Sequence, residues 1–149
     1  MVTPQNQGFD HMTIVVTDLP EAKRFFGLLG FEETIAVVAS GERIAAYMGI
    51  PGWESDHVTL ALKGGDTHQE IQLLRFHKPP IKVDGATGTL DRTGFNHVCF
   101  RVNDLAAMLE HLAANGVTPR NEIFDYHDKK LVFLDGPGVV VELAELGTG

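Results

Sequence analysis

The chain has 149 residues, 44% of them hydrophobic and 21% charged, which suits one compact domain or two small modules sharing a core. Its formal net charge of −8 argues against a nucleic-acid surface or an anionic membrane as the main partner, since both would repel it. The single cysteine, Cys99, excludes an internal disulfide framework and fits a reducing, cytoplasmic setting; the first residues lack the basic start and apolar core of a signal peptide, and no apolar run approaches the ~20 residues of a membrane span.

Residues 1–8 read as a loose polar arm. A strand is expected over Asp10–Val16, bounded by Gly8 and Asp18. Asp18, Pro20 and Glu21 then form a helix start, because carboxylates meet unpaired backbone N–H groups and proline fits the first turn. Ala22, Phe25, Phe26 and Leu29 recur at helical spacing until Gly30 stops the helix. Strands are expected over Glu32–Val38, Ile44–Met48, His57–Leu62 and Gln69–Phe76, with a loop at Gly49–Ser55 and a turn at Lys63-Gly64-Gly65-Asp66. Residues 77–93, rich in Gly, Pro, Thr and Asp, read as a linker or a substrate-covering loop.

The remainder repeats the opening. Gly94-Phe95-Asn96-His97 leads into Val98–Val102, as Gly8-Phe9-Asp10-His11 leads into Met12–Val16. His97 follows His11 by 86 positions, and the same interval separates Asp104 from Asp18, Leu105 from Leu19 and Gly116 from Gly30. These are a strand opening, a helix cap and a helix stop, positions set by backbone chemistry. A helix carrying Leu105, Met108, Leu109 and Leu112 is followed by expected strands at Glu122–Tyr126, Leu131–Leu134 and Val139–Leu143, the last preceded by the turn Asp135-Gly136-Pro137-Gly138. The tail from Gly147 reads as disordered. The pattern is β-α-β-β-β twice: modules at 9–76 and 94–146 within one domain spanning 1–149.

Equivalent histidines in a pseudo-symmetric repeat can converge on one point, so His11 and His97 are candidate metal ligands. His57, His68, His77, His111 and His127 have no such echo and read as structural or surface residues. Glu142 is the one carboxylate of an apolar strand; burying it requires a partner, either a metal ion or a basic side chain. In the equivalent strand, period-two alternation puts Glu70 and Gln72 on one face, and either can be the inward polar group. Cys99 and Arg101 alternate onto the face of His97; Cys99 reads as a small buried hydrophobe rather than a reactive thiol. Arg75, Arg101 and Arg120 read as surface residues before anion contacts.

Phe9-Asp10-His11 with Asp18-Leu19 and Gly30-Phe31, Ile71-Gln72-Leu73-Leu74, Asn96-His97 with Val102-Asn103-Asp104, and Val132–Gly138 through Val141-Glu142-Leu143 together resemble the vicinal oxygen chelate superfamily. That superfamily includes glyoxalase I, methylmalonyl-CoA epimerase, extradiol dioxygenases and fosfomycin- and bleomycin-resistance proteins. The resemblance spans nearly the whole chain. It implies an α+β fold of two βαβββ modules forming a half-open, eight-stranded mixed sheet that wraps a metal and substrate cleft. It also implies a homodimer, with the site built by one chain or shared by two. It carries the metal positions onto His11, Gln72, His97 and Glu142, with Glu70 as the fallback for Gln72.

Such a set suits one divalent ion (Zn, Ni, Co, Mn or Fe) that chelates a small molecule through vicinal oxygens. In ligand type it is similar to glyoxalase I and methylmalonyl-CoA epimerase, which implies a lyase or isomerase stabilising an enediolate next to a carbonyl, with Glu142 shuttling the proton. The epimerase branch has a second carboxylate on an inner strand of the first copy, where Thr59 stands here. Extradiol ring cleavage is the alternative enzyme activity, but that branch leaves the fourth ligand place open and has a tyrosine near the final turn, where this chain has Leu131-Val132-Phe133-Leu134. A metal-free antibiotic-binding protein is the alternative outside catalysis.

Overall fold

The strand bearing Gln72 and the strand bearing Glu142 hold the same place in two separate four-stranded mixed sheets. A computed structural model describes residues 2–147. The expected loose tail at Thr148 and Gly149, and the first residue of the polar arm, lie outside the described residues. In chain order the elements are β1 (Met12–Val15), α1 (Leu19–Leu28), β2 (Phe31–Ser40), α2 (Glu42–Met48), β3 (Glu54–Leu62), β4 (Glu70–Lys78), β5 (Val98–Arg101), α3 (Leu105–Ala114), β6 (Phe124–Tyr126), β7 (Lys129–Asp135) and β8 (Val140–Leu146). The sheet orders are β1-β4-β3-β2 and β5-β8-β7-β6. In each, the first strand lies parallel to the last, and the other pairings are antiparallel.

The chain divides into two units, residues 1–19 with 29–81 and residues 20–28 with 82–149. In the first unit, β4 is a central strand whose Ile71 and Leu73 are buried, as are Val58 and Leu60 of β3 and Ile14 of β1. Complete burial of such a side chain contributes roughly 1.5–3 kcal/mol. On the face that carries Gln72, Leu74 packs with Trp53 and Ala45, and Phe76 meets Trp53 edge-on with ring centroids 5.8 Å apart. Lys63 N–H closes onto Gly30 O at 3.0 Å.

Ile44–Met48 lies within a helix, α2, and not in the strand expected there. Ala45, Ala46 and Met48 favour helix, and only Ile44 is β-branched. Gly49 terminates it in a left-handed conformation (φ 71°), its N–H bonding back to Ala46 O.

The second unit contains the β5-β8-β7-β6 sheet, α3 and most of α1. Arg24 Nη1 donates to Asn115 O at 3.0 Å, and His111 Nε2 donates to Leu28 O at 3.1 Å. Phe25 and Phe26 of α1, Leu105 and Leu112 of α3, and Val132, Leu134, Val141 and Leu143 of the sheet are all buried. Asp104 caps α3 from an extended conformation, its side chain accepting from Ala107 N–H at 2.9 Å. No helix among the described residues is long and apolar enough to cross a membrane.

Candidate metal and substrate site

Within the second unit, His97 immediately precedes β5 and Glu142 lies in the central strand β8. Register sets Cys99 opposite Glu142 on one side and Phe133 opposite it on the other. His97 Nε2 lies 3.4 Å from Glu142 Oε1, with 30% and 17% of the two side chains exposed. His97 Nδ1 meets Asn96 Oδ1 at 2.7 Å. An amide oxygen only accepts, so Nδ1 carries a proton, and in the neutral imidazole the lone pair is then on Nε2. Phe133 stands edge-on to the imidazole, centroids 5.1 Å apart, and limits its rotation.

The first unit repeats this device. His11 immediately precedes β1, and its Nδ1 meets Asp10 Oδ2 at 2.5 Å, again leaving Nε2 as the nitrogen able to bind a metal. Asp10, His11 and Glu70 each offer a donor atom, all within 4.8 Å of one another. Glu70 also stands 3.6 Å from His68 Nε2. Gln72 lies in β4 between Thr13 of β1 and Thr59 of β3, so Thr59 does occupy an inner place beside it. Gln72 Oε1 accepts from His57 Nε2 at 2.9 Å, and Gln72 Nε2 donates to Glu70 Oε2 at 3.0 Å.

The two registers are equivalent. Gln72 pairs with Thr13, two residues after His11, and Glu142 pairs with Cys99, two residues after His97. The position two before Glu142 is Val140, an apolar residue, whereas two before Gln72 is Glu70. Gln72 is therefore the counterpart of Glu142, and Glu70 is an addition particular to the first unit.

These donors fit a divalent ion. Two ligands each about 2.1 Å from one ion, at angles of about 90–110°, lie roughly 3.0–3.4 Å apart, the spacing of His97 and Glu142. Each histidine also has its other nitrogen bonded to an oxygen that fixes its tautomer, as metal-bound histidines generally do.

Three neighbours differ from or add to the sequence reading. Cys99 is exposed rather than buried, because the alternation of β5 puts it with Arg101 on the exposed face of that strand. Its thiol is nevertheless pushed up to about 11, first by loss of hydration and then by hydrogen bonding to, and the charge of, Glu142; Lys129 opposes weakly. His57 is a hydrogen-bonded structural histidine, as the sequence reading allowed, but its partner, Gln72, was not foreseen. No repeat partner marks it in sequence; only the register that lays β3 diagonally against Gln72 reveals it. Asp10 and Asn96 are the third case: their place before each histidine was visible, but not their orienting role. Arg120 is committed to structure, bonding Asp135 and, at 2.8 Å, Gly88 O.

The geometry defines a two-unit α+β protein with histidine, carboxylate and carboxamide donors suited to a divalent ion and a small molecule. The chain belongs to the Glyoxalase/Bleomycin resistance protein/Dioxygenase superfamily, whose family model matches residues 8–143. Among solved structures it is similar to a glyoxalase family protein from Bacillus cereus, at 26% identity and TM-score 0.87, with 99% of each chain covered. It is also similar to a glyoxylase/bleomycin resistance protein/dioxygenase domain from Frankia sp. EAN1pec, at 19% identity and TM-score 0.69, covering 97% of this chain and 96% of that one. TnmS3, an antibiotic binding protein from Streptomyces sp. CB03234, shares the fold at 19% identity and TM-score 0.60, covering 97% and 100%. No match is found among curated proteins. The superfamily comprises many enzymes and also non-enzymatic binding proteins, takes small-molecule substrates and often uses a divalent metal.

Proposed function

We propose that this chain is a divalent-metal-dependent enzyme, a glyoxalase-like lyase or isomerase that moves a proton on a carbon next to a carbonyl through an enediolate. The candidate metal ligands are His11 and Gln72 in the first unit and His97 and Glu142 in the second, within one chain or across a dimer. The observation that carries this reading is the pairing of His97 Nε2 with Glu142 Oε1 at 3.4 Å while Asn96 holds Nδ1, a device echoed by Asp10 and His11. When bound, Zn, Ni, Co, Mn or Fe supplies Lewis acidity toward two neighbouring substrate oxygens. With neutral histidines and one carboxylate, the ligand set leaves a divalent ion net positive, so an anionic oxygen pair is favoured despite the chain's net charge.

The chain's own groups divide the remaining tasks. Glu142, only 17% exposed, is the carboxylate that takes and returns the substrate proton. Phe133 gives the His97–Glu142 pair an apolar wall that holds water back. In the metal-free chain, loss of hydration and the neighbouring Glu142 keep Cys99 a thiol near neutral pH. Arg101 lies on the Glu142 face, in register with Ala144. Phe133 also bears on the dioxygenase alternative, because it presents no hydroxyl beside the pair. Antibiotic binding without metal is the second reading, supported by the shared fold with TnmS3. A soluble cytoplasmic homodimer completes the proposal.

The test is bound metal in untagged protein, for the parent and for His11→Ala and His97→Ala. The expected result is close to one ion per chain in the parent and a large loss in both variants. Less than about a tenth of an ion, unchanged by either substitution or by added Ni, Co, Zn, Mn or Fe, overturns the enzyme reading. Turnover of a 2-oxoaldehyde–thiol adduct against a catechol then separates lyase or isomerase from dioxygenase.

A further inference from the structure

Gln72 and Glu142 are equivalent by register but chemically unequal as ligands. A carboxylate offers two like oxygens, so whichever way Glu142 turns it presents a donor. A carboxamide offers one oxygen and one NH2 group, and the NH2 group cannot ligate a cation. A glutamine at this position therefore needs something that fixes which end faces where. The first unit contains such a fixture, and it has no analogue around Glu142. His57 Nε2 lies 2.9 Å from Gln72 Oε1, and Gln72 Nε2 lies 3.0 Å from Glu70 Oε2. The place corresponding to His57 in the second sheet, two residues before the partner of Glu142, is Leu131; the place corresponding to Glu70 is Val140.

We infer that His57 is a positioning residue for Gln72, which together with Glu70 locks the amide with its oxygen available for a metal ion. The inference rests on the reading of Gln72 as a ligand. A carboxylate only accepts hydrogen bonds, so Glu70 selects the NH2 end of Gln72. The oxygen end must then face His57, which fixes the proton of that imidazole on Nε2. One lone pair of Oε1 receives this N–H, and the other remains for coordination. Exchanging the amide ends would set an oxygen against the Glu70 carboxylate, losing that hydrogen bond, and would force the His57 imidazole into its other tautomer to accept from the NH2 group. The first unit thus uses two extra polar residues to make an amide as directional as a ligand must be. In the second unit a carboxylate makes both unnecessary, and apolar side chains stand there.

The experiment is a titration of chelator-treated, full-length protein with Co(II), reading affinity calorimetrically and coordination from the visible absorption band. His57→Phe keeps the ring and removes the donor; His57→Gln restores an N–H donor. The expected result is a loss of about 10–100-fold in Co(II) affinity and an altered band for His57→Phe, with most of both recovered in His57→Gln. In a Gln72→Glu background, whose ligand needs no orientation, His57→Phe should cost less than about threefold; a merely structural role would weaken both backgrounds alike. Thermal melting of each variant confirms that folded proteins are compared. Equal affinity and spectra for parent and His57→Phe overturn the inference while leaving metal binding intact. Abolition of binding by Glu70→Ala with no effect of His57→Phe or Gln72→Ala also overturns it, making Glu70 the ligand. A parent that binds no Co(II) removes the underlying reading and the inference together.

Discussion

Gln72 and Glu142 stand at the same place in their own sheets, each in the central strand and each opposite the residue two positions after a histidine. The histidines show the same correspondence, since Asp10 and Asn96 bind their Nδ1 atoms at 2.5 and 2.7 Å. Repetition at this level of detail concerns hydrogen-bond roles rather than residue identity. Asp and Asn differ in charge, as do Glu and Gln, yet each pair supplies an oxygen at one place.

The orienting role of Asp10 and Asn96 predicts weaker metal binding when either oxygen is removed. Asp10→Ala and Asn96→Ala should each lower affinity for Zn or Co about 10–100-fold. Asn96→Asp, which keeps an acceptor, should stay near the parent. Asn96 also donates to Leu90 O at 2.8 Å, so the Ala variant should additionally loosen the preceding loop, visible as faster amide exchange there. Unchanged affinity in both Ala variants would mean that the tautomers need no such anchor.

His77 gives a pH dependence independent of the metal site. Its imidazole meets Glu54 at 2.8 Å and Asp56 at 3.0 Å. Hydrogen bonds to Glu54 and then Asp56 raise its pKa above 6.5, with partial dehydration opposing. A histidine whose folded pKa lies above its unfolded value stabilises the fold fully below the unfolded pKa, and that contribution disappears as pH rises through the folded value. The melting temperature of the parent should therefore exceed that of His77→Gln most clearly below about pH 6.5, and the gap should close on the alkaline side. A gap that widens with rising pH would reverse the sign of the interaction.

What could be read from sequence was whatever local backbone chemistry dictates. Gly30 and Gly116 adopt φ of 91° and 81° just after their helices, which is why the 86-residue interval survives at those points. Asp104 is a cap, and β8 carries Glu142 among the buried Val140, Val141 and Leu143. The helix α2 was missed because an apolar run of five residues suits strand or helix, and its alanines decide the matter only weakly. The contact of His57 with Gln72 was missed for another reason. It depends on which β3 residue lies diagonal to Gln72, and the β3–β4 register that sets Thr59 opposite Gln72 is a long-range pairing that alternation within either strand does not announce. Cys99 was misread as buried because a small thiol beside apolar neighbours resembles core filler until the exposed face of β5 is known.

The cap on α3 gives a direct stability prediction. Asp104 accepts from Ala107 N–H, while Glu145 Oε1 takes the Leu105 N–H at 2.8 Å, so two of the helix's first amides are satisfied by side chains. Asp104→Ala should lower stability by about 1 kcal/mol, a fall of about 2–4 °C in melting temperature for a domain of this size. Asp104→Ser should recover most of the loss. If the Ala variant unfolds at the same urea concentration as the parent, water replaces the cap without penalty.

The hairpin between β6 and β7 contains a backbone position where a smaller residue should do better. Tyr126 pairs with Lys129, so His127 and Asp128 form a two-residue loop. His127 has φ of 56°, the one positive value among described non-glycine residues. A positive φ at the first loop position alone matches a type II′ turn, where glycine is favoured because a Cβ is crowded. The loop is further pinned by Gly147 N–H donating to Asp128 O at 2.7 Å. His127 returns something by meeting the Tyr126 ring edge-on at 4.4 Å, a contact that glycine would lose. Relief of backbone crowding, about 1–2 kcal/mol, outweighs that contact and the greater freedom of an unfolded glycine. His127→Gly should therefore raise stability by about 0.5 kcal/mol, measured by urea unfolding with unchanged denaturant dependence, whereas His127→Ala, keeping the crowding and losing the ring, should lower it.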